Sequence, residues 1–336
     1  MGSSHSIYED LDPLFPKIYK FCRIPNLSNT CYINCIIQCF INSKTIHDYF
    51  SSLVMIGIDT IAENCGKNSP LVEYAKIFNE IESNLELEIM IKPKPLVNSI
   101  FKSSSCFIQG EQNDSHELLL FLIESFDNSI KTLEQKLPHF AHPPFSKLFE
   151  GKKHITFDCL ACHTPQINAE SFMCLTLPIK HGQSIQTLIM DTMKEIMVEK
   201  NDGWFCESCK QKEEAKMSTV FETIPMILIF QLNRFSFDKN TLKVTKDFGF
   251  VDVPDKIVAN WKGGTQIYEI KTMVLHVGNN LTKGHFVSIL RVNNVWILAN
   301  DKVLKYVPDD EIDAYIGSLY QLSAVVPYLV WYECQP

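Results

Sequence analysis

From Cys31 the chain is apolar at Ile33, Ile36, Ile37 and Phe40, almost all the way round a helical wheel, so this segment predicts a helix buried on every side. Ser69 and then Pro70 have the chemistry of an N-cap and a first helical position. They open a stretch with Leu71, Tyr74, Phe78 and Ile81 on one face at helical spacing. Lys92-Pro93-Lys94-Pro95 reads as a connector. Asp114 begins a further helix with Leu118, Phe121, Leu122 and Phe126 turned inward, and residues 138–144 form a loop. The pattern then changes. Residues 226–232, 268–277, 286–292 and 295–300 are rich in branched and aromatic side chains and predict strands. Helices first and strands later argue for an α+β fold.

The chain has 336 residues and a formal net charge of −8, with no cluster of Lys and Arg. A duplex nucleic-acid binder needs such a cluster to displace counterions, so no nucleic-acid partner is expected. No run of ~18 apolar residues is present and no secretory leader is recognisable, so no transmembrane segment is expected. The start Met1-Gly2-Ser3-Ser4-His5-Ser6 matches the N-myristoylation pattern. No polybasic second anchor follows, and the segment is read as a small-residue tail. Twelve cysteines, four of them in two CxxC pairs, fit a reducing compartment, cytoplasmic or nuclear, better than a disulfide scaffold.

Asn26-Leu27-Ser28-Asn29-Thr30-Cys31-Tyr32 places a thiol at the start of the buried helix, after three good capping residues. The positive end of the helix dipole and the unpaired N–H groups there favour a thiolate, and the same groups can hold an oxyanion. By itself this segment fits a buried structural cysteine equally well, like Cys35 or Cys39. A thiol nucleophile needs a histidine as base and acid. Among ten histidines, His285 stands between Gly284 and a strand. With Asn293-Asn294 as a two-residue turn, Val292 pairs with Val295, Val287 faces Asn300 and His285 faces Lys302. His285 and Asn300 then share a face as diagonal neighbours, roughly 7–8 Å apart at the backbone. Asp301 pairs with Phe286 on the other face, so Asn300 is nominated to orient the imidazole. A bulge in either strand reverses that choice.

Cys159-x-x-Cys162 and Cys206-x-x-Cys209 have the spacing of two zinc knuckles. Four thiolates suit one closed, structural tetrahedral zinc per chain. Asp114-Ser115-His116-Glu117 fits a capping box. It also fits a pair of carboxylates, Asp114 and Glu117, offered to an arginine-bearing peptide.

In this order the segments resemble the ubiquitin-specific protease family, papain-like cysteine deubiquitinases. Residues 26–38 read NLSNTCYINCIIQ against the family's NLGNTCYxNSxLQ, and Gln112-Asn113-Asp114-Ser115-His116-Glu117-Leu118-Leu119 resembles QQDAxEFL. Residues 170–179 are similar to ExFxxLxLPI, and residues 224–235 to LPxxLxxxLxRF. Residues 268–286, with Trp296 to Asp301, resemble the histidine box, and residues 327–332 the closing strand.

The resemblance implies a tail over 1–20 and a catalytic domain over 21–334. Its helical thumb would span about 21–145, and its zinc-bearing fingers and palm strands about 146–334. It implies a thiol-dependent deubiquitinase with Cys31 as nucleophile, His285 as base, Asn300 as third member and Asn26 in the oxyanion hole. Asp114 would meet the ubiquitin tail, whose arginines precede its Gly-Gly end, and Tyr268 would line a channel that only two glycines can pass. Asp301 is expected beside the substrate, holding a water near the oxyanion. Ubiquitin and ubiquitinated proteins are the implied partners, and some small members of the family also use an activating protein partner. An enzyme for another ubiquitin-like modifier and an inactive ubiquitin-binding scaffold are the alternatives. Ser28 in place of glycine, Cys35 in place of serine, Asn113 in place of glutamine, Leu118 in place of phenylalanine, Lys283 in place of glycine and Phe286 in place of tyrosine depart from the family pattern. Ser28 falls where a tight turn can require positive φ.

Overall fold

The computed structural model describes residues 20–238, 243–279, 284–316 and 325–335. Residues 1–6, with the acylation-like pattern, and Lys283 lie outside the described residues. Six helices come first: α1 (Cys31–Ile41), α2 (Lys44–Leu53), α3 (Ile58–Cys65), α4 (Pro70–Ser83), α5 (Lys94–Ser103) and α6 (Ser115–Lys136). α1 buries ten consecutive residues, Cys31 to Phe40, as its all-round apolarity demands. Ser69 caps α4 by accepting from Val72 N–H, with Pro70 in the first turn. Asp114 caps α6 by accepting from the backbone of His116 and Glu117.

A sheet of eight strands follows, in the order Val303–Val307, Val295–Asn300, His285–Val292, Gly264–Val277, Val325–Cys334, Ile227–Leu232, Leu175–Leu177, with Lys256–Trp261 also paired to Gly264–Val277. Except for the parallel pair at Leu175–Leu177, its neighbours run antiparallel. The hairpin has the register that the alternation predicts: Val292 pairs with Val295, and the ladder continues to Ser288 with Ala299. Asn293 and Asn294 both take positive φ, at 46° and 70°, as a two-residue primed turn requires.

One continuous core unites the helices with this sheet. It joins Phe40, Phe126 and Phe145 to Phe286, Tyr328 and Trp331. α1 lies across the strand His285–Val292, and Ser288 Oγ donates to the Cys35 carbonyl at 3.2 Å. The start of α1 is thereby brought beside the start of that strand. A second sheet, of four strands, extends from the fold in the order Pro165–Phe172, Gly151–Cys159, Ala215–Thr223, Ile196–Val198. Its strands are mostly half-buried or exposed.

Candidate active site

Cys31 is the first residue of α1. The turn before it is tight: Ser28 and Asn29 both sit in the left-handed region, with φ 65° and 60°. Asparagine tolerates that conformation, whereas serine bears a steric cost there, which is why a glycine suits the position. The expected side-chain cap on α1 is not formed. Thr30 makes no capping bond, and its hydroxyl instead accepts from Leu27 N–H at 2.8 Å. Asn26 Oδ1 accepts from Thr30 N–H at 3.1 Å. The helix start is thus shaped by the turn and left without a side-chain cap.

His285 opens its strand, and one of its ring nitrogens, Nε2, lies 2.8 Å from Asn300 Oδ1. The imidazole pKa is raised to about 9, first by its hydrogen bond with Cys31, and next, against the cost of burial, by that with Asn300. A protonated ring donates from both nitrogens, so Nε2–H points to Asn300 and Nδ1–H is left for the sulfur. The structure therefore brings Cys31, His285 and Asn300 together.

Asp301 departs from the simple alternation. Its φ of 53° ends the strand and turns the residue back instead of leaving it on the opposite face. Its Oδ2 accepts from Asn26 Nδ2 at 2.9 Å and lies 3.9 Å from His285 Nε2, while Oδ1 accepts from Asn34 Nδ2 at 2.7 Å. Asn300 nevertheless holds the closer contact with the imidazole.

Asp114 joins the same region through its second oxygen. Tyr328 donates to Oδ2 at 2.5 Å, and Gln231 Nε2 donates to the Tyr328 hydroxyl at 2.8 Å. Glu117, one turn into α6, is exposed. Tyr268 is not at the site. It is fully buried, donates its hydroxyl to the Pro225 carbonyl and packs in the core of the large sheet. It lies nine residues along its strand from Val277, the partner of His285, or about 30 Å at ~3.3 Å per residue. The channel role that the resemblance implies for Tyr268 does not fit this placement, since the side chain is buried in the core of the sheet, away from His285.

At the far end of the four-stranded sheet, Cys159, Cys162, Cys206 and Cys209 converge, their sulfurs all within 4.8 Å of one another. Cys159 and Cys209 are 3.9 Å apart, and Cys162 and Cys206 are 3.7 Å apart. A tetrahedron with arms of ~2.3 Å has edges of about 3.8 Å, so the spacing fits a single metal ion.

The sequence profile of the ubiquitin carboxyl-terminal hydrolase family matches residues 22–326. The chain belongs to this family. Its members are cysteine-type deubiquitinating hydrolases, and the protein is an enzyme of that class. Ubiquitin carboxyl-terminal hydrolase 4 of Arabidopsis thaliana is 23% identical to it, covering 99% of each chain. Ubiquitin carboxyl-terminal hydrolase 12 of Salmo salar is 21% identical, over 95% of this chain and 91% of that one. Two structures of the SAGA deubiquitinating module, Ubp8 with Sgf11, Sus1 and Sgf73, are similar in fold at 19% identity. The one bound to monoubiquitin has a TM-score of 0.75 and covers 98% of this chain and 73% of that chain. The one bound to ubiquitin aldehyde has a TM-score of 0.76 and covers 98% and 74%. The helical lobe is the thumb of this hydrolase fold, the large sheet its palm, and the four-stranded sheet with its four cysteines its fingers.

Several side chains that hold this region together were not singled out from the sequence. Asn34 and Gln38 are polar positions one turn apart on an otherwise apolar helix. Asn34 reaches Asp301, and Gln38 Nε2 donates to the Cys22 carbonyl at 2.6 Å. Their spacing was a usable signal. Gln112 and Tyr328 fall within the segments 112–119 and 327–332 that carry the resemblance, but nothing local marks their contacts, which are made across the boundary between lobes.

Proposed function

We propose that this hydrolase cleaves the bond after the C-terminal glycine of ubiquitin, peptide or isopeptide, with a Cys31–His285–Asn300 triad. The observation that carries the proposal is the imidazole of His285, with Nε2 2.8 Å from Asn300 Oδ1 and a pKa raised first by hydrogen bonding with Cys31. The sulfur, as thiolate, attacks the glycine carbonyl carbon. The resulting oxyanion is stabilised by backbone N–H at the uncapped start of α1 and by the Asn26 amide. Imidazolium Nδ1–H protonates the leaving amine, and the neutral ring then activates water to hydrolyse the acyl-enzyme. Asn300 fixes the orientation of the ring.

Asp114, with one oxygen on Tyr328 and the other on the α6 backbone, supports a rigid carboxylate for a tail arginine. Exposed Glu117 adds negative charge one turn away. The apolar Ile167 and Val220 of the fingers, 60% and 43% exposed, offer surface to the folded body of ubiquitin. Zinc is the metal suited to Cys159, Cys162, Cys206 and Cys209, where it would be structural and leave no open coordination position. All twelve cysteines are unbridged, in keeping with a cytoplasmic or nuclear setting. The Ubp8 structures are of assemblies with further subunits, and an activating protein partner is part of the proposal. No described helix is long and apolar enough to cross a membrane.

The proposal is tested by comparing hydrolysis of C-terminal fluorogenic amides of ubiquitin and of ubiquitin-like modifiers. Ubiquitin is expected to be the better substrate by kcat/KM. Preference for another modifier would transfer the same chemistry to that modifier, and no hydrolysis of any by folded, zinc-loaded protein would reject it.

A further inference from the structure

The ladder between the strands Gly264–Val277 and His285–Val292 ends at the pair Val277 with His285. Gly284 lies one residue beyond it, so its peptide groups need partners from elsewhere. One side chain supplies both. Gln112 Oε1 accepts from Gly284 N–H at 2.8 Å, and Gln112 Nε2 donates to the Gly284 carbonyl at 2.5 Å. A carboxamide offers donor and acceptor side by side, as a neighbouring strand would.

The opposite side of Gly284 is closed by packing. A Cβ at this position would come within 2.1 Å of His276 Nε2, so only glycine fits. His276 is itself fixed: Lys246 Nζ lies 2.8 Å from its Nδ1 and donates to the carbonyls of His276 and Gly278 at 3.0 and 2.6 Å. Gly284 is thus gripped between a thumb side chain and the palm. The two residues after Gln112 reach the rest of the site. Asn113 Nδ2 donates to the Tyr32 hydroxyl at 3.1 Å, next to Cys31, and Asp114 meets Tyr328.

We propose that Gln112 is a positioning residue for the hydrolysis: by clamping the Gly284 peptide it sets the backbone from which His285 projects, and it ties the tail-binding segment at Asp114 to the general base. The proposal rests on His285 acting as that base. His285 is faced by Cys31, Asn300 and Asp301, with His276 behind it. Gln112 is neutral, so replacing it by alanine changes where the ring sits without changing the charge around it.

The test uses Gln112→Ala and the isosteric Gln112→Glu, which keeps an acceptor for Gly284 N–H but loses the donor to its carbonyl. Two quantities are measured on the full chain: kcat and KM for a ubiquitin C-terminal amide, and the pH dependence of Cys31 alkylation by chloroacetamide without ubiquitin, with the modified cysteine identified by peptide mass. Both variants are expected to lose about tenfold to a hundredfold in kcat, with KM nearly unchanged, since a misplacement of about 1 Å can cost that much. The acid limb of Cys31 alkylation is expected to move to higher pH, because the displaced imidazolium supports the thiolate less. An unchanged kcat would overturn the proposal. So would a lower kcat with an unchanged alkylation profile, since a merely structural role produces that pattern. If the wild-type chain fails on the ubiquitin amide, the substrate assignment fails, and the alkylation comparison still decides the role of Gln112.

Discussion

The fingers and the thumb–palm boundary are built on different principles. The palm strand Val325–Cys334 buries eight of its ten residues, whereas the fingers strand Pro165–Phe172 buries one of eight. Aromatic rings from helices and sheet interlock across the boundary, as Phe40, Phe145 and Phe149 do around Trp331. Apolar burial alone can hold that region. The fingers have little of it, and their far end is gathered by four sulfurs. The proposed chemistry sits where packing is dense, and the proposed ubiquitin-facing surface sits where four sulfurs, rather than an apolar core, gather the chain.

The largest effect expected from this contrast follows metal loss. Replacing Cys206 and Cys209 by serine should unfold the fingers, since structural zinc contributes roughly 10–16 kcal/mol in small peptide sites. Ubiquitin turnover should collapse through KM, while alkylation of Cys31 by a small electrophile stays near wild type. Equal loss of both would show that the two regions are not independent. Metal analysis of the native chain should give one zinc.

Next is Asn300. Asn300→Ala should lower kcat by roughly a hundredfold to a thousandfold, with the melting temperature nearly unchanged. Asn300→Asp should retain much of the activity and raise the histidine pKa further, since a carboxylate stabilises imidazolium more than an amide does. In the native enzyme His285 is raised to about 9, mainly by Cys31, from an ordinary 6.5. The raised group stabilises the fold fully below about pH 6.5, and that contribution is lost as pH rises through about 9. Turnover that depends on the imidazolium falls over the same alkaline range. Titrating the ring by NMR in wild type and Asn300→Asp checks both signs.

A smaller effect is expected at Asp114. Asp114→Ala removes a helix cap worth about 1 kcal/mol. It also removes a charged hydrogen-bonding group for the tail, worth about 1.5–3 kcal/mol in binding. Loss of kcat/KM should therefore exceed what the fall in stability explains, and a stability loss with unchanged turnover of the folded fraction would leave capping as its whole role. Smallest is Ser28. Its φ of 65° should be relieved in Ser28→Gly, raising stability by up to about 1 kcal/mol, read as a higher melting temperature.

What the sequence made legible were features with short-range rules. The Asn293-Asn294 turn fixed a hairpin register, and that register put His285 and Asn300 on one face. The two CxxC spacings marked four sulfurs that the fold gathers. Positions decided by a local conformational exception or by a distant partner were read poorly. Asp301 turned because its φ became positive, which strand alternation does not anticipate. Thr30 gave up its capping role because the Ser28-Asn29 turn aimed its hydroxyl at Leu27. Tyr268 lies away from the site because a long strand, Gly264–Val277, carries one end to His285 and the other deep into the palm. Gln112 was invisible as a contact, since its partner lies 172 residues away.

Ubiquitin carrying a C-terminal electrophile tests the central claim most directly. Incubated with the purified, zinc-loaded chain, it should form a single covalent adduct, seen as the summed mass of the two proteins. Peptide mapping should place the bond on Cys31, and Cys31→Ala should bind the same ubiquitin without forming it. An adduct on another cysteine, or no adduct from a folded chain that binds ubiquitin, would contradict Cys31 as the nucleophile.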